Sequence, residues 1–137
     1  AYALKVMQRV FPLLDGGKAP ERREIVIETA FMGKGGRDAF EMVTRCLTDG
    51  RYHADPDISE ARSAVESPDG HYFFRFHYHG KTVTALLKPE FGHEEFNRIS
   101  RKAEKTPEDL RTLASMRLDL AERVLSAAPE TVYEIVP

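Results

Sequence analysis

Apolar positions Ala3, Val6, Met7 and Val10 recur at helical spacing and predict a helix over 2–11, although strict alternation fits the same positions nearly as well. Pro12 and then Asp15-Gly16-Gly17 end this element, and Lys18 to Arg23 read as an exposed basic connection. The β-branched run Ile25-Val26-Ile27 predicts a strand over 23–31, buried on both faces. Gly33-Lys34-Gly35-Gly36 breaks it. A helix is expected over 37–47, with Phe40, Val43 and Leu47 on one face and Asp49-Gly50 as its stop. Residues 51–59 read as a loop, and 61–66 fit a strand or a short helix equally.

The clearest pattern follows. Ser67-Pro68-Asp69-Gly70 has the residues of a type I turn. From His71 to Tyr78 the chain alternates strictly, with Tyr72, Phe74, Phe76 and Tyr78 on one face and His71, Phe73, Arg75 and His77 on the other. A two-residue turn at His79-Gly80 pairs Tyr78 with Lys81, Phe76 with Val83, Phe74 with Ala85 and Tyr72 with Leu87. The polar face then matches His77 with Thr82, Arg75 with Thr84 and His71 with Lys88. A slip of one residue would scramble both faces. Pro89 ends the hairpin. A helix is expected over 93–104 with Phe96, Ile99 and Ala103 inward. Thr106-Pro107-Glu108-Asp109 has the residue types of a helix start, and that helix runs to about Ala127, burying Leu110, Leu113, Leu120 and Val124. Pro129 closes it and 131–136 form a final strand. The fold class is therefore α+β, as one domain over 1–137: an antiparallel or mixed sheet, a three-stranded meander plus one or two further strands, with helices packed on one face.

With 137 residues and 42% apolar content, the chain can bury a core of its own. The formal net charge of −2 argues against a dedicated nucleic-acid binder, while leaving room for a local basic face. The single cysteine, Cys46, excludes an intrachain disulfide and a Cys-rich zinc site, and its place in an apolar pattern reads as a buried, inert thiol. No apolar run reaches the length of a membrane span, and Lys5, Gln8 and Arg9 interrupt what would be a signal-peptide core. The chain is read as cytoplasmic, with no membrane partner and no cofactor.

Four constellations carry candidate chemistry. Gly33-Lys34-Gly35-Gly36-Arg37 leads into a helix, where free amides and two cations suit an anion. This tetrapeptide resembles the GxxG loop of KH domains, which implies a clamp on a nucleic-acid backbone. Residues 29–32 are too few for the helix that precedes that loop in the family. The polar face of the hairpin holds Arg75, Lys81, Lys88 and histidines with no acid within residues 71–88, and Phe73 sits among them as an expected stacking platform. The same face suits metal-independent cleavage of a phosphodiester, with His71 and His77 as acid and base and Arg75 stabilising charge. His53, Asp55, Asp57 and Glu60 are metal-ligand types without a recognised spacing, and read as a solvated loop. Finally, the order helix, three strands, helix, strand is similar to the core of PD-(D/E)xK nucleases, with Pro68-Asp69 and Lys88 in place. Leu86 stands where that family's second carboxylate belongs, so the resemblance implies at most an inactive relative.

Three functions are consistent with these residues. The first is a non-enzymatic binding or regulatory domain that meets nucleic acid or phosphate through Lys34, Gly35, Gly36, Arg37, Phe73, Arg75, His77 and Lys88. The second is a protein-binding inhibitor or immunity-type protein. The third is a metal-independent ribonuclease using His71, His77 and Arg75.

Overall fold

The computed structural model describes all residues, 1–137. Helix α1 (Tyr2–Leu14) leads to β1 (Val26–Phe31), α2 (Lys34–Thr44), β2 (Tyr52–Ala54), β3 (Glu66–Ser67), β4 (Gly70–Tyr78) and β5 (Lys81–Leu87). Helices α3 (Glu94–Ser100), α4 (Pro107–Ser126) and α5 (Pro129–Val132) follow, and β6 (Tyr133–Val136) ends the chain. The six strands form one mixed sheet in the order β2-β1-β4-β5-β6, with β3 paired to the start of β4. Every pairing is antiparallel except β1 with β2.

The hairpin has the register its alternation demands: Tyr78 pairs with Lys81, His77 with Thr82, Arg75 with Thr84 and Phe74 with Ala85. His79 and Gly80 both take positive φ, 47° and 81°, the mirror-image turn whose twist matches the strands it joins. Tyr72, Phe74, Phe76, Val83, Ala85 and Leu87 all point to one face and meet α1 and α2. Phe40 of α2 packs against Phe74 and Phe76 with ring centroids 5.8 and 6.1 Å apart. Helix α1 lays Ala3, Val6, Met7, Val10 and Leu14 on this core. Its Lys5 is buried as well. The ammonium donates to the carbonyls of Leu125 (3.0 Å) and Ala127 (2.8 Å), closing the C-terminal end of α4.

Several boundaries differ from the sequence reading, each for a local reason. Helix α1 continues through Pro12 to Leu14, because Leu14 still reaches the core. Helix α2 starts inside the glycine run and ends at Thr44, where Arg45 takes a left-handed conformation (φ 58°). The Glu41 carboxylate then accepts the amides of Leu47 (2.8 Å) and Thr48 (3.0 Å), so Leu47 lies beyond the helix and is exposed. The stretch read as a loop contains β2, a three-residue strand that α2 returns parallel to β1. Residues 131 and 132 belong to the short α5, and the last strand begins only at Tyr133. Helix α3 spans less than expected and leaves Ala103 exposed. Thr106 and Asp109 form a reciprocal capping box, as their spacing required. Leu110, expected inside, is 56% exposed.

Candidate functional site

The outer face of the sheet is organised by Glu28, which β1 places directly opposite Arg75 of β4. The Arg75 guanidinium donates to Glu28 Oε2 from Nε (3.1 Å) and Nη2 (2.5 Å), and His77 Nε2 meets Glu28 Oε1 at 2.6 Å. His77 Nδ1 lies 2.9 Å from Thr82 Oγ1 across the hairpin. A second carboxylate, Glu60, stands 3.7 Å from Arg75. Burial pushes the Glu28 carboxyl up, but the hydrogen bonds and charges of Arg75 and His77 outweigh that cost and hold it below the ordinary carboxylate value. The three side chains at the centre of this cluster are mostly covered, so they hold one another firmly.

This geometry corrects two expectations about the hairpin. Residues 71–88 carry no acid, but the neighbouring strand supplies one, and the face is neutralised where it was expected to be basic. Phe73 is no stacking platform: it is 2% exposed, in a small second core with Ala30, Ala61 and Ala64. The connection between β2 and β3 folds over it, and Arg75 caps its ring at 5.3 Å. His71 stands six residues from His77, about 20 Å along the strand. It engages the Ala64 carbonyl (2.8 Å) and Glu66 (3.4 Å) instead. The two histidines are therefore not an acid–base pair. Lys88 donates to the Glu130 carbonyl at 2.7 Å.

Lys34, Gly35, Gly36 and Arg37 form the first turn of α2, which packs on the opposite face from Arg75 and His77, so the two expected binding surfaces do not converge. The glycines answer to packing. A Cβ on Gly33 would sit 2.5 Å from the Phe31 ring, and one on Gly36 would sit 3.1 Å from it. The Asp69 carboxylate comes within 3.5 Å of that Gly33 position, so the chain brings its own anion to the start of α2. Arg37 pairs with Asp38 at 3.3 Å. His53, Asp55, Asp57 and Glu60 do not gather, and no group of three or more His, Cys, Asp or Glu side chains is placed to hold a metal ion.

Concavities lie elsewhere. A broad groove beside α3 is lined by Glu66, His93, Asn97, Arg98, Arg101 and Arg123. Its ion pairs, Arg98 with Glu95 and Arg101 with Glu66, are largely internal. A smaller cavity of about 220 Å³ adjoins it, walled by Tyr2, Tyr72 and Phe96. The sequence reading missed both, because their residues are scattered over three or more elements and share no motif.

Met42 of α2 and a stripe on α4 are left exposed. Leu110, Leu118 and Leu125 are 56, 69 and 50% exposed. With Ala114 and the half-buried Ala121 they fall within an arc of about 80° at 100° per residue, to one side of the arc that holds the buried Leu113, Leu120 and Val124. The fold is thus an α+β domain with helices on one face of a mixed sheet, and no helix in it is long and apolar enough to cross a membrane. No protein-family model matches the chain, and no curated protein does.

Proposed function

We propose that this chain is a non-catalytic binding domain whose contact surface is the leucine stripe of α4 and whose occupant is the same stripe of a second copy. The observation that supports it is the stripe's near-palindromic order. Leu110 and Ala114 mirror Leu125 and Ala121 about the middle of the helix, so an antiparallel pair sets Leu110 against Leu125 and Ala114 against Ala121, with Leu118 beside Arg117 of the other copy at the centre. On one flank, Arg111 of one copy then falls beside Glu122 of the other, and the reverse. Small residues between the leucines allow the helices to approach closely.

A protein partner is better supported than a polyanion. Arg75 is committed to Glu28 and Glu60, Arg37 to Asp38, and Lys88 to a backbone carbonyl. With three leucines per copy the interface is small, in the class of weak, transient contacts, with dissociation constants of roughly micromolar to millimolar. Sedimentation equilibrium over a concentration series tests it. The expected result is a monomer–dimer equilibrium in the wild type that Leu118→Glu abolishes while leaving the thermal melt unchanged. A wild type that stays monomeric up to about 1 mM, or a Leu118→Glu variant that associates equally, refutes it.

One observation favours a second reading. His77 stands between a carboxylate at 2.6 Å and the Thr82 hydroxyl at 2.9 Å, so the carboxylate orients the ring and a substrate hydroxyl that displaced Thr82 would meet a positioned general base. That reading expects slow cleavage of single-stranded RNA in the presence of a chelator, lost in His77→Ala. Intact probes with the wild type dismiss it.

A further inference from the structure

The sequence holds three Asp-Gly steps, Asp15-Gly16, Asp49-Gly50 and Asp69-Gly70, and the fold treats them differently. Glycine has no Cβ to shield its nitrogen, so in such a step the side-chain carboxyl and the following amide can meet. Asp49 is restrained on every side. Its carboxylate takes Arg51 at 2.9 Å and Arg23 at 3.1 Å, its amide donates to the Arg45 carbonyl (3.0 Å), and Gly50 N donates to the Leu47 carbonyl (3.3 Å). The bonds from Arg51 and Arg23 hold the carboxyl below its ordinary value, in the ionised form whose oxygen is a poor leaving group. Asp69 is fixed through its backbone. Its amide donates to Ser67 Oγ (3.1 Å), its carbonyl accepts from Met32 N (2.7 Å), and Gly70 is pressed so close to Ala30 that a Cβ would collide with the Ala30 carbonyl.

Asp15 has none of these restraints. It follows the last residue of α1 and is half-buried, with Gly16 and Gly17 exposed beyond it. Its carboxylate meets no donor and no cation, Gly16 N donates to no acceptor, and open space surrounds both glycines. A single bond at the surface, Lys18 N to the Asp15 carbonyl at 2.9 Å, closes the turn. Bringing Gly16 N to the Asp15 side chain requires rotation about the Asp15 ψ, now 52°, and that bond is the one the rotation breaks.

We infer that Asp15-Gly16 is a site of spontaneous succinimide formation and isomerisation, and that the native fold protects the other two steps. The Gly16 nitrogen attacks Cγ of the protonated Asp15 carboxyl. A C–N bond forms, and the carboxyl hydroxyl leaves as water with the amide proton. Water then reopens the five-membered ring. Attack at the Cγ carbonyl restores aspartate. Attack at the main-chain carbonyl leaves isoaspartate, with the chain running through Cβ and Cγ. The water released in closing the ring balances the water consumed in opening it, so no other reactant enters. The product lengthens the backbone by one carbon just after the buried Leu14, and its free α-carboxylate suits a carboxyl methyltransferase that takes isoaspartyl residues. The site shares no residue with the α4 stripe and is independent of self-association.

Trypsin separates the three steps, cutting after Arg9 and Lys18, after Arg45 and Arg51, and after Arg62 and Arg75. Native protein is aged at neutral pH beside a sample kept unfolded in guanidinium chloride. Isoaspartate in each peptide is then read as a shifted retention at unchanged mass, and by methyl transfer from S-adenosylmethionine with an isoaspartyl methyltransferase. The ratio of native to unfolded rate is the measure for each step, because a held step reacts only through local opening. The ratio for peptide 10–18 is expected to exceed those for 46–51 and 63–75 by about tenfold or more. Asp15→Glu, whose longer side chain would have to close a less favourable six-membered ring, should abolish the signal from 10–18 and leave the thermal melt unchanged. A ratio for 10–18 no higher than the other two, or no isoaspartate in native 10–18 while the unfolded sample reacts, would overturn the assignment.

Discussion

Glu28→Gln is the substitution that most directly probes how the outer face is held together. The change removes the charge that receives two hydrogen bonds from Arg75 (3.1 and 2.5 Å) and one from His77 (2.6 Å), at nearly constant volume. A hydrogen bond to a charged group contributes about 1.5–3 kcal/mol when well shielded. Here Glu28, Arg75 and His77 keep 28, 22 and 34% of their side-chain surface in solvent, which reduces that figure. Gln also retains one acceptor, and Glu60 still faces Arg75 at 3.7 Å. The expected loss is therefore about 1–2 kcal/mol at pH 7, a fall in Tm of roughly 3–8 °C for a domain of this size. Because the folded state holds the Glu28 carboxyl below its ordinary value, the stabilisation is complete above the unfolded carboxylate pKa. It disappears as pH falls through the lower folded value. The gap between wild type and variant should accordingly be full at neutral pH and narrow below about pH 4. Urea titrations of both proteins at a series of pH values measure it. A gap under about 0.5 kcal/mol at pH 7, or one that stays constant on acidification, would refute the reasoning.

Gly70→Ala should cost several kcal/mol, about 3 or more by chemical denaturation, because φ is +108° and the new Cβ would fall 2.3 Å from the Ala30 carbonyl oxygen. Gly33→Ala should cost clearly less than Gly70→Ala, because the atoms its Cβ approaches at 2.5 Å are the outer edge of the half-buried Phe31 ring, which can shift, whereas Gly35→Ala, with open space around it, should be neutral or slightly stabilising, as thermal melts would show. Cys46 is fully buried and its thiol is pushed up by that burial, so it should resist a thiol reagent at pH 8 in the native protein and react at once in denaturant; fast native labelling would contradict its placement. Phe73→Ala should destabilise by about 3–5 kcal/mol as a core residue, where an exposed platform would tolerate the change.

How much was legible in the chain depended on the range of the interactions involved. The β4–β5 hairpin, its turn and its register follow from alternation and from His79-Gly80, because both are local, and any other register would move apolar side chains into water. The α4 start is local in the same sense: Thr106 and Asp109 satisfy each other's backbone three residues apart. The α+β class follows from the succession of such elements. The outer face did not follow. Its character turns on Glu28, which is 47 residues from Arg75 and 49 from His77, and comes beside them only through the β1–β4 pairing. Phe73 had the phase of an outward residue, and that phase was right. Only the folding of residues 58–64 over that face turned it into core. The leucines of α4 show the converse. Periodicity marks Leu110 as apolar, but which arc of a helix is covered is decided by the neighbours it packs against, and α1 and α3 take the other side. Charge neutralisation, burial of an outer face and the gathering of cavity walls are long-range events, so the tertiary structure alone decides them.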